Sequence, residues 1–339
     1  MLLVATDPLF VAHDPGPGHP ERPERLRAVE AGLARAGMRE AVIPLAARDA
    51  TDAELLAVHD AAHLARLEAR AGAGGGLLDA DTVMSAASWA AARRAAGAGP
   101  SAVAELRRGA ADAAFLALRP PGHHAEPGRA MGFCLLNNVA VTAAAIADGG
   151  ERVLIVDIDA HHGNGTQDIF YADARVAYVS FHEWPLYPGT GRLDETGTGA
   201  GAGTTCNLPL PAGATGDVYL AGIDEVVAPL AERFGPDWLL ISAGFDAHRA
   251  DPLTGLGLSA GDYGLVAQRL RELVPPGRVV AFLEGGYDLA ALAACVEATV
   301  PALIGAPVPA PAGEGPTGGG PGRPVVRAAA DLHCAAADR

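Results

Sequence analysis

Four stretches of this chain run from an apolar segment straight into polar residues. They are AAFLALRPPGHH (113–124), VLIVDIDAHHGNG (153–165), WLLISAGFDAH (238–248) and VVAFLEGGY (279–287). The apolar parts show no polar face, as in strands of a parallel sheet covered by helices on both sides. In open α/β sheets, ligands collect just beyond the carboxyl ends of the strands. Repetition of one arrangement therefore predicts a single crevice where residues far apart in sequence meet.

The rest of the chain fits that frame. Candidate strands span 2–5, 113–118, 153–157, 176–181, 238–243 and 279–283. Thr51 with Glu54 makes a capping box ahead of Leu55, Val58, Leu64 and Leu67. Val218, Leu220, Ile223, Val226, Val227 and Leu230 mark a helix that Gly235-Pro236 ends. Ser259 caps a third helix, and 289–304 forms a fourth. The alternation predicts an α/β fold, a single domain with a mainly parallel sheet flanked by helices, over residues 1–305. From 306 to 339 the chain is rich in Pro, Gly and Ala without a period, which predicts a flexible tail.

Charge excludes one class of partner. The net charge is −15, the opposite of a nucleic-acid-binding footprint, while a cationic substrate would be attracted. No apolar run is long enough to span a bilayer. MLLVATDPLF lacks a basic region and a cleavage site, and reads as a first buried strand rather than a signal peptide. Cys134, Cys206, Cys295 and Cys334 are scattered, with no zinc-knuckle or redox spacing, which points to a reducing, cytoplasmic compartment. The sequence leaves the oligomeric state open.

The polar ends carry the chemistry. Asp157, Asp159 and His161 alternate, so an extended backbone sets them on one side. Asp159 and His161 offer an oxygen and a nitrogen to Zn²⁺ or a similar ion, and Asp246, ending its own strand, is the candidate third ligand. Three protein ligands leave room for water and substrate, the mark of a catalytic metal. Taken singly, these acids read as helix caps and the histidine as a loop residue; four converging strand ends argue otherwise. His123 and His124 follow a Pro-Pro-Gly turn and are free for general acid–base work. Tyr287, in a Gly-Gly-Tyr turn, could donate to a carbonyl oxygen, although alone it reads as a core tyrosine. His59 and His63 sit at i,i+4 spacing without a strand-end context and are read as structural. The glycine-rich GTGAGAG (197–203) follows no strand, so it is not a nucleotide fingerprint. HPERPERL (19–26) is read as shaping the approach to the first helix.

Together these motifs closely resemble the histone deacetylase superfamily, which shares its fold with arginases. RPPGHHA, GFCLLNNVA, VDIDAHHGNGTQ, SFHEWPLYPGTG, SAGFDAHRADPLTGLGLS and EGGYD occur in family order, from HPERPERL to about residue 304. The asparagine in GNG looks like the class II and bacterial branch. The resemblance implies one zinc ion on Asp159, His161 and Asp246. It makes His124 the general base, His123 an electrostatic partner oriented by Asp157, and Tyr287 the oxyanion donor. Asn164 would contact His124 where class I members have an aspartate. Phe133 and Tyr187 would wall an acyl tunnel, the second standing where phenylalanine is common, and Gly132 would meet the substrate stem through its carbonyl. Asp81, in DADT, matches a rim aspartate. A structural potassium ion would use Asp157 and Ser180 with the carbonyls of Asp159, His161 and Phe181.

The implied reaction is hydrolysis of an N-acyl amide of lysine or a similar amine, in peptides or as acetylated small amines. Acetylpolyamine or small-molecule amide hydrolysis is the alternative. Polyamine-selective relatives place a glutamate where Leu253 stands, which favours an acyl-lysine. Arginase-like relatives carry a second aspartate where Gly163 stands, which favours one metal over two. A silent acyl-lysine binder is the reading from another class, and Tyr287 speaks against it.

Overall fold

The computed structural model describes residues 1–309 and 311–337, with side chains described as far as His333. Ten strands occur among them: β1 (Leu2–Ala5), β2 (Val42–Leu45), β3 (Gly75–Leu77), β4 (Val83–Ser85), β5 (Ala113–Leu116), β6 (Val153–Asp157), β7 (Val176–Glu183), β8 (Thr205–Leu210), β9 (Trp238–Ala243) and β10 (Val279–Leu283). Eight form one sheet in the order β2-β1-β5-β10-β9-β6-β7-β8, every pairing parallel. β3 and β4 make a separate, small antiparallel ribbon that packs on the helix Ala61–Gly72. β5, β6, β9 and β10 are buried along their whole length, as their uninterrupted apolar sequences require. These four are also the sheet's central neighbours, so the four polar strand ends lie side by side.

Helices cover the sheet in two packed groups. Glu24–Arg35, Leu289–Leu303 and Ala260–Arg271 pack on one another in one group; Ser88–Arg107 and Asn138–Asp148 form the second. Small residues permit the close approach. A Cβ at Gly99 would overlap Thr142 Oγ1 at 1.8 Å, and one at Gly32 would stand 2.5 Å from the Ala293 carbonyl oxygen. No described helix is long and apolar enough to cross a membrane.

Several expected elements change in detail. The stretch after Thr51 is two helices, Asp52–Leu56 and Ala61–Gly72, and the capping box is present. His59 sits in the turn between them, not on a shared helix with His63. The helix expected around 218–230 contains a π-helical turn, Ile223–Val227, and ends at left-handed Gly235. The expectation of a flexible tail from 306 is corrected: Arg323–Ala337 is a helix that packs against β8 and buries Val326, Ala329 and His333. An apolar stripe every three or four residues gives it a face to bury, which the proline-rich approach masks at the level of composition. Cys134, Cys206 and Cys295 are free and buried, while the Cys334 side chain lies outside the described residues.

Candidate active site

β6 ends at Asp157, in register with Ser242 on β9 and Ser180 on β7. The chain then folds back on its own carboxylates. The Asp159 N–H donates to Asp157 Oδ1 at 3.2 Å, and the His161 N–H to Asp159 Oδ1 at 2.9 Å. From the neighbouring strand ends, the Gly285 N–H donates to Asp159 Oδ2 at 2.8 Å, and Asp246 Oδ1 accepts from the Ala160 N–H at 2.8 Å. Backbone donors thus aim each acid before any ligand arrives.

Asp159, His161 and Asp246 are buried, and each offers one ligand atom within 4.8 Å of the other two. His161 Nδ1 lies 3.1 Å from Asp159 Oδ1 and 3.0 Å from Asp246 Oδ2. Burial opposes charge on that ring, yet the two carboxylates hold its pKa well above the ordinary value. Burial and the Asp159 charge push Asp246 up to about 7. The cluster is short of positive charge, and its oxygen–nitrogen–oxygen donor set suits a divalent ion such as zinc.

The paired histidines differ sharply. Burial works against a charge on His123, but Asp157 and Asp159 outweigh it and hold the pKa at about 10. Its Nδ1 is 3.0 Å from Asp157 Oδ2, which also accepts from the Tyr178 hydroxyl at 3.1 Å. His124, 4.0 Å away between ring centroids, is driven well below the ordinary value by burial and by the charges of His123 and His161. Its Nδ1 meets Asn164 Oδ1 at 2.8 Å. Asp157 and Asp159 favour the charged form of one ring and burial the neutral form of its neighbour, the kind of separation that lets two adjacent groups handle protons differently.

A cavity of about 250 Å³ reaches this cluster. It is lined by Asp81, His124, Gly132, Phe133, His161, Leu186, Tyr187, Leu253 and Tyr287, so it collects every residue predicted to meet substrate. Phe133 takes a left-handed φ of 68°, and Gly132 has a φ of 55° with no room for a Cβ, which would lie 2.4 Å from His124 Cδ2. This turn sets the Phe133 ring edge-on to Tyr287 at 5.8 Å, while Tyr187 stands edge-on to His124 at 5.2 Å. Burial raises the Tyr287 phenol well above its usual pKa, against a lowering by Arg25, so it remains a hydrogen donor.

Of the residues predicted for a second cation, Asp157 and Ser180 are register partners on adjacent strands. Ser180 Oγ lies 3.0 Å from His182 Nδ1, and the Phe181 ring stacks on Tyr219. The His59 and His63 rings are satisfied by backbone: His59 Nδ1 meets the Glu126 carbonyl at 3.1 Å, and His63 Nε2 the Leu135 carbonyl at 3.0 Å.

Sequence reasoning missed three supports. Buried Glu284 accepts from the Gly122 N–H at 2.7 Å and the His123 N–H at 3.2 Å, fixing the paired-histidine turn. Asp251 accepts from the Tyr287 N–H at 2.7 Å. HPERPERL does more than lead into a helix: Arg25 donates to the Gly286 carbonyl at 2.8 Å and lies over the Tyr287 ring. Glu284 and Asp251 lie inside recognised motifs; acids within such motifs were the available signal.

Comparison with known proteins fits this geometry. The pattern of the Histone deacetylase domain matches residues 19–303. Histone deacetylase 15 of Arabidopsis thaliana is 42% identical over 293 residues, covering 85% of this chain and 53% of the plant protein. This chain thus spans about half of that relative's length. A probable deacetylase of Archaeoglobus fulgidus is 41% identical over 286 residues, 83% of this chain and 79% of that protein. A crystal structure of the HDA15 HD domain superposes with a TM-score of 0.90 at 37% identity, over 98% of this chain and 94% of that one.

Proposed function

The chain belongs to the histone deacetylase family, and from that membership we propose that it hydrolyses N-acyl amides of lysine or similar amines at a zinc site formed by Asp159, His161 and Asp246. The carrying observation is the cavity, which brings Tyr287, neutral His124 and the ligand His161 together between the aromatic walls of Phe133 and Tyr187. Zinc held there would polarise the acyl carbonyl and lower the pKa of a water molecule toward ~7. His124 takes the proton of the attacking water and returns it to the leaving amine. Its low pKa keeps it unprotonated and ready at neutral pH. The Tyr287 hydroxyl donates to the acyl oxygen as negative charge develops there. Charged His123 adds a fixed positive field beside the reacting carbonyl, held in place by Asp157.

Acetylated lysine in a peptide or protein is the proposed substrate class. Acetylated small polyamines are the second reading, favoured by Asp81 in the cavity lining and by the net charge of −15, both of which attract cations. Potassium is proposed at Asp157 and Ser180 with the carbonyls of Asp159, His161 and Phe181, supported by the register of the two strands. A cytoplasmic location is proposed from the free, buried Cys134, Cys206 and Cys295.

The chain has 25 arginines and no lysine, so lysine amines appearing in an assay come from the added substrate. The test is metal analysis together with turnover of acetyl-lysine and trifluoroacetyl-lysine peptides and an acetylated diamine. One zinc per chain, chelator-sensitive turnover and its loss in Asp246→Ala are expected. Tyr287→Phe should keep the metal and lose roughly 10²-fold or more in kcat. A metal-free protein, or zinc without hydrolysis of any of these amides, overturns the reading.

A further inference from the structure

Resting on the reading of His124 as the base, we propose that Glu126 is a positioning residue that decides, through Asn164, which nitrogen of His124 carries the proton. An asparagine amide presents an acceptor oxygen on one side and a two-hydrogen donor on the other, and it can turn over. Facing a histidine, the two orientations have opposite consequences. Oxygen toward Nδ1 demands a proton on Nδ1 and leaves Nε2 with a free lone pair. The NH₂ group toward Nδ1 demands a lone pair there, so the neutral ring carries its proton on Nε2 and has lost its base. An aspartate at this position would have no such ambiguity, because an ionised carboxylate only accepts.

The surroundings of Asn164 remove the ambiguity. Its Nδ2 lies 2.9 Å from Glu126 Oε1 and 3.3 Å from Met131 Sδ. Both are acceptors, so both amide hydrogens have places to go on the side away from the histidine. Oδ1 is left 2.8 Å from His124 Nδ1. A turned amide would set Oδ1 against the Glu126 carboxylate and against sulfur, giving up two hydrogen bonds for a repulsion. A thioether is a weak acceptor, so Glu126 carries the choice.

Glu126 is itself anchored. Its N–H donates to the Arg129 carbonyl at 2.9 Å, and its own carbonyl meets His59 Nδ1 at 3.1 Å. His59 Nε2 accepts from the Asn137 N–H at 2.9 Å, which requires the proton of that ring to be on Nδ1, pointing at Glu126. The histidine read from sequence as structural thus holds the outer end of a chain of contacts running Glu126, Asn164, His124. The negative charge missing at position 164 stands one side chain further out.

The test uses the zinc-loaded full chain with ring-¹⁵N histidine, reading the His124 tautomer by long-range ¹H–¹⁵N correlation and assigning the signal with His124→Ala. Wild type is expected to show the Nδ1–H form. Glu126→Ala should convert a measurable fraction to Nε2–H and lower kcat by ~10-fold or more, with KM little changed. Adding Asn164→Asp to Glu126→Ala should restore both the Nδ1–H form and the rate, since the new carboxylate can only accept. Retention of the Nδ1–H form in Glu126→Ala overturns the proposal, as does failure of the second substitution to restore that form in a protein whose melting curve shows it folded. The tautomer is read without turnover. An inactive wild type would therefore count against the functional reading, and an unchanged tautomer against Glu126.

Discussion

At Gly163 a Cβ would stand 2.3 Å from Asp157 Oδ2, 2.6 Å from the Tyr178 hydroxyl and 3.1 Å from His123 Nδ1. Asp157 is the first of the charges that hold His123 protonated, and even one methyl group here must push the Asp157–His123 pair apart. Gly163→Ala is expected to cost about 1–3 kcal/mol of stability, the usual range for overpacking, read from urea denaturation midpoints. It should also lower the His123 pKa, which an NMR titration of the ring measures. An aspartate here would likewise have to enter occupied space. At this scale the candidate cluster was legible: the alternation of Asp157, Asp159 and His161 is local, and Asp246 follows closely on a buried strand. Glu284 and Arg25 were not legible as supports. Their bonds to Gly122 and Gly286 span 162 and 261 positions, and spacing along a chain carries no information about contacts that only the sheet order creates.

The element boundaries follow a similar division. The central strands were legible because burial on both faces leaves uninterrupted apolar runs. β2 (VIPL) and β8 (TCNLPL) were not, and they are the two edges of the sheet. Each contains a proline, which an edge tolerates because one row of N–H groups needs no strand partner. The Ser259 cap was legible, but its load was not. Besides capping Asp262 N–H, Ser259 Oγ donates to the Gly315 carbonyl at 2.9 Å, and Thr317 Oγ1 donates to Asp262 Oδ2 at 2.7 Å. The segment 314–317 is thereby clipped to the start of the helix Ala260–Arg271. Ser259→Ala removes a helix cap and a buried tie together, so a loss of about 2 kcal/mol is expected, at the upper end for caps. Proteolysis should also cut near 314–317 faster than in wild type. An unchanged cleavage rate would show that the clip does not depend on this hydroxyl.

For the whole molecule, the helix Arg323–Ala337 shows how the end of the described chain is tied to the domain. Arg323 pairs with Glu225 at 2.6 Å, and His333 is buried against the body, where burial and then the Arg233 charge push its pKa down to about 4. Above the ordinary histidine value of 6.5, folded and unfolded chains both hold this ring neutral, and pH does not act on it. As pH falls below 6.5, the unfolded chain takes up a proton that the folded chain refuses until about 4. The docked state therefore loses stability through that window, by at most ~1.4 kcal/mol per pH unit from this group. Burial likewise pushes His59 and His182 down to about 4, so a wild-type curve alone cannot assign the effect. The difference between wild type and His333→Gln can, because the other groups cancel. Urea denaturation is expected to give a wild-type-minus-variant stability that is constant above pH 6.5 and falls between 6.5 and 4. A parallel pair of curves across that interval would mean that His333 is protonated in the folded protein as readily as in the unfolded one, and that the helix does not shield it.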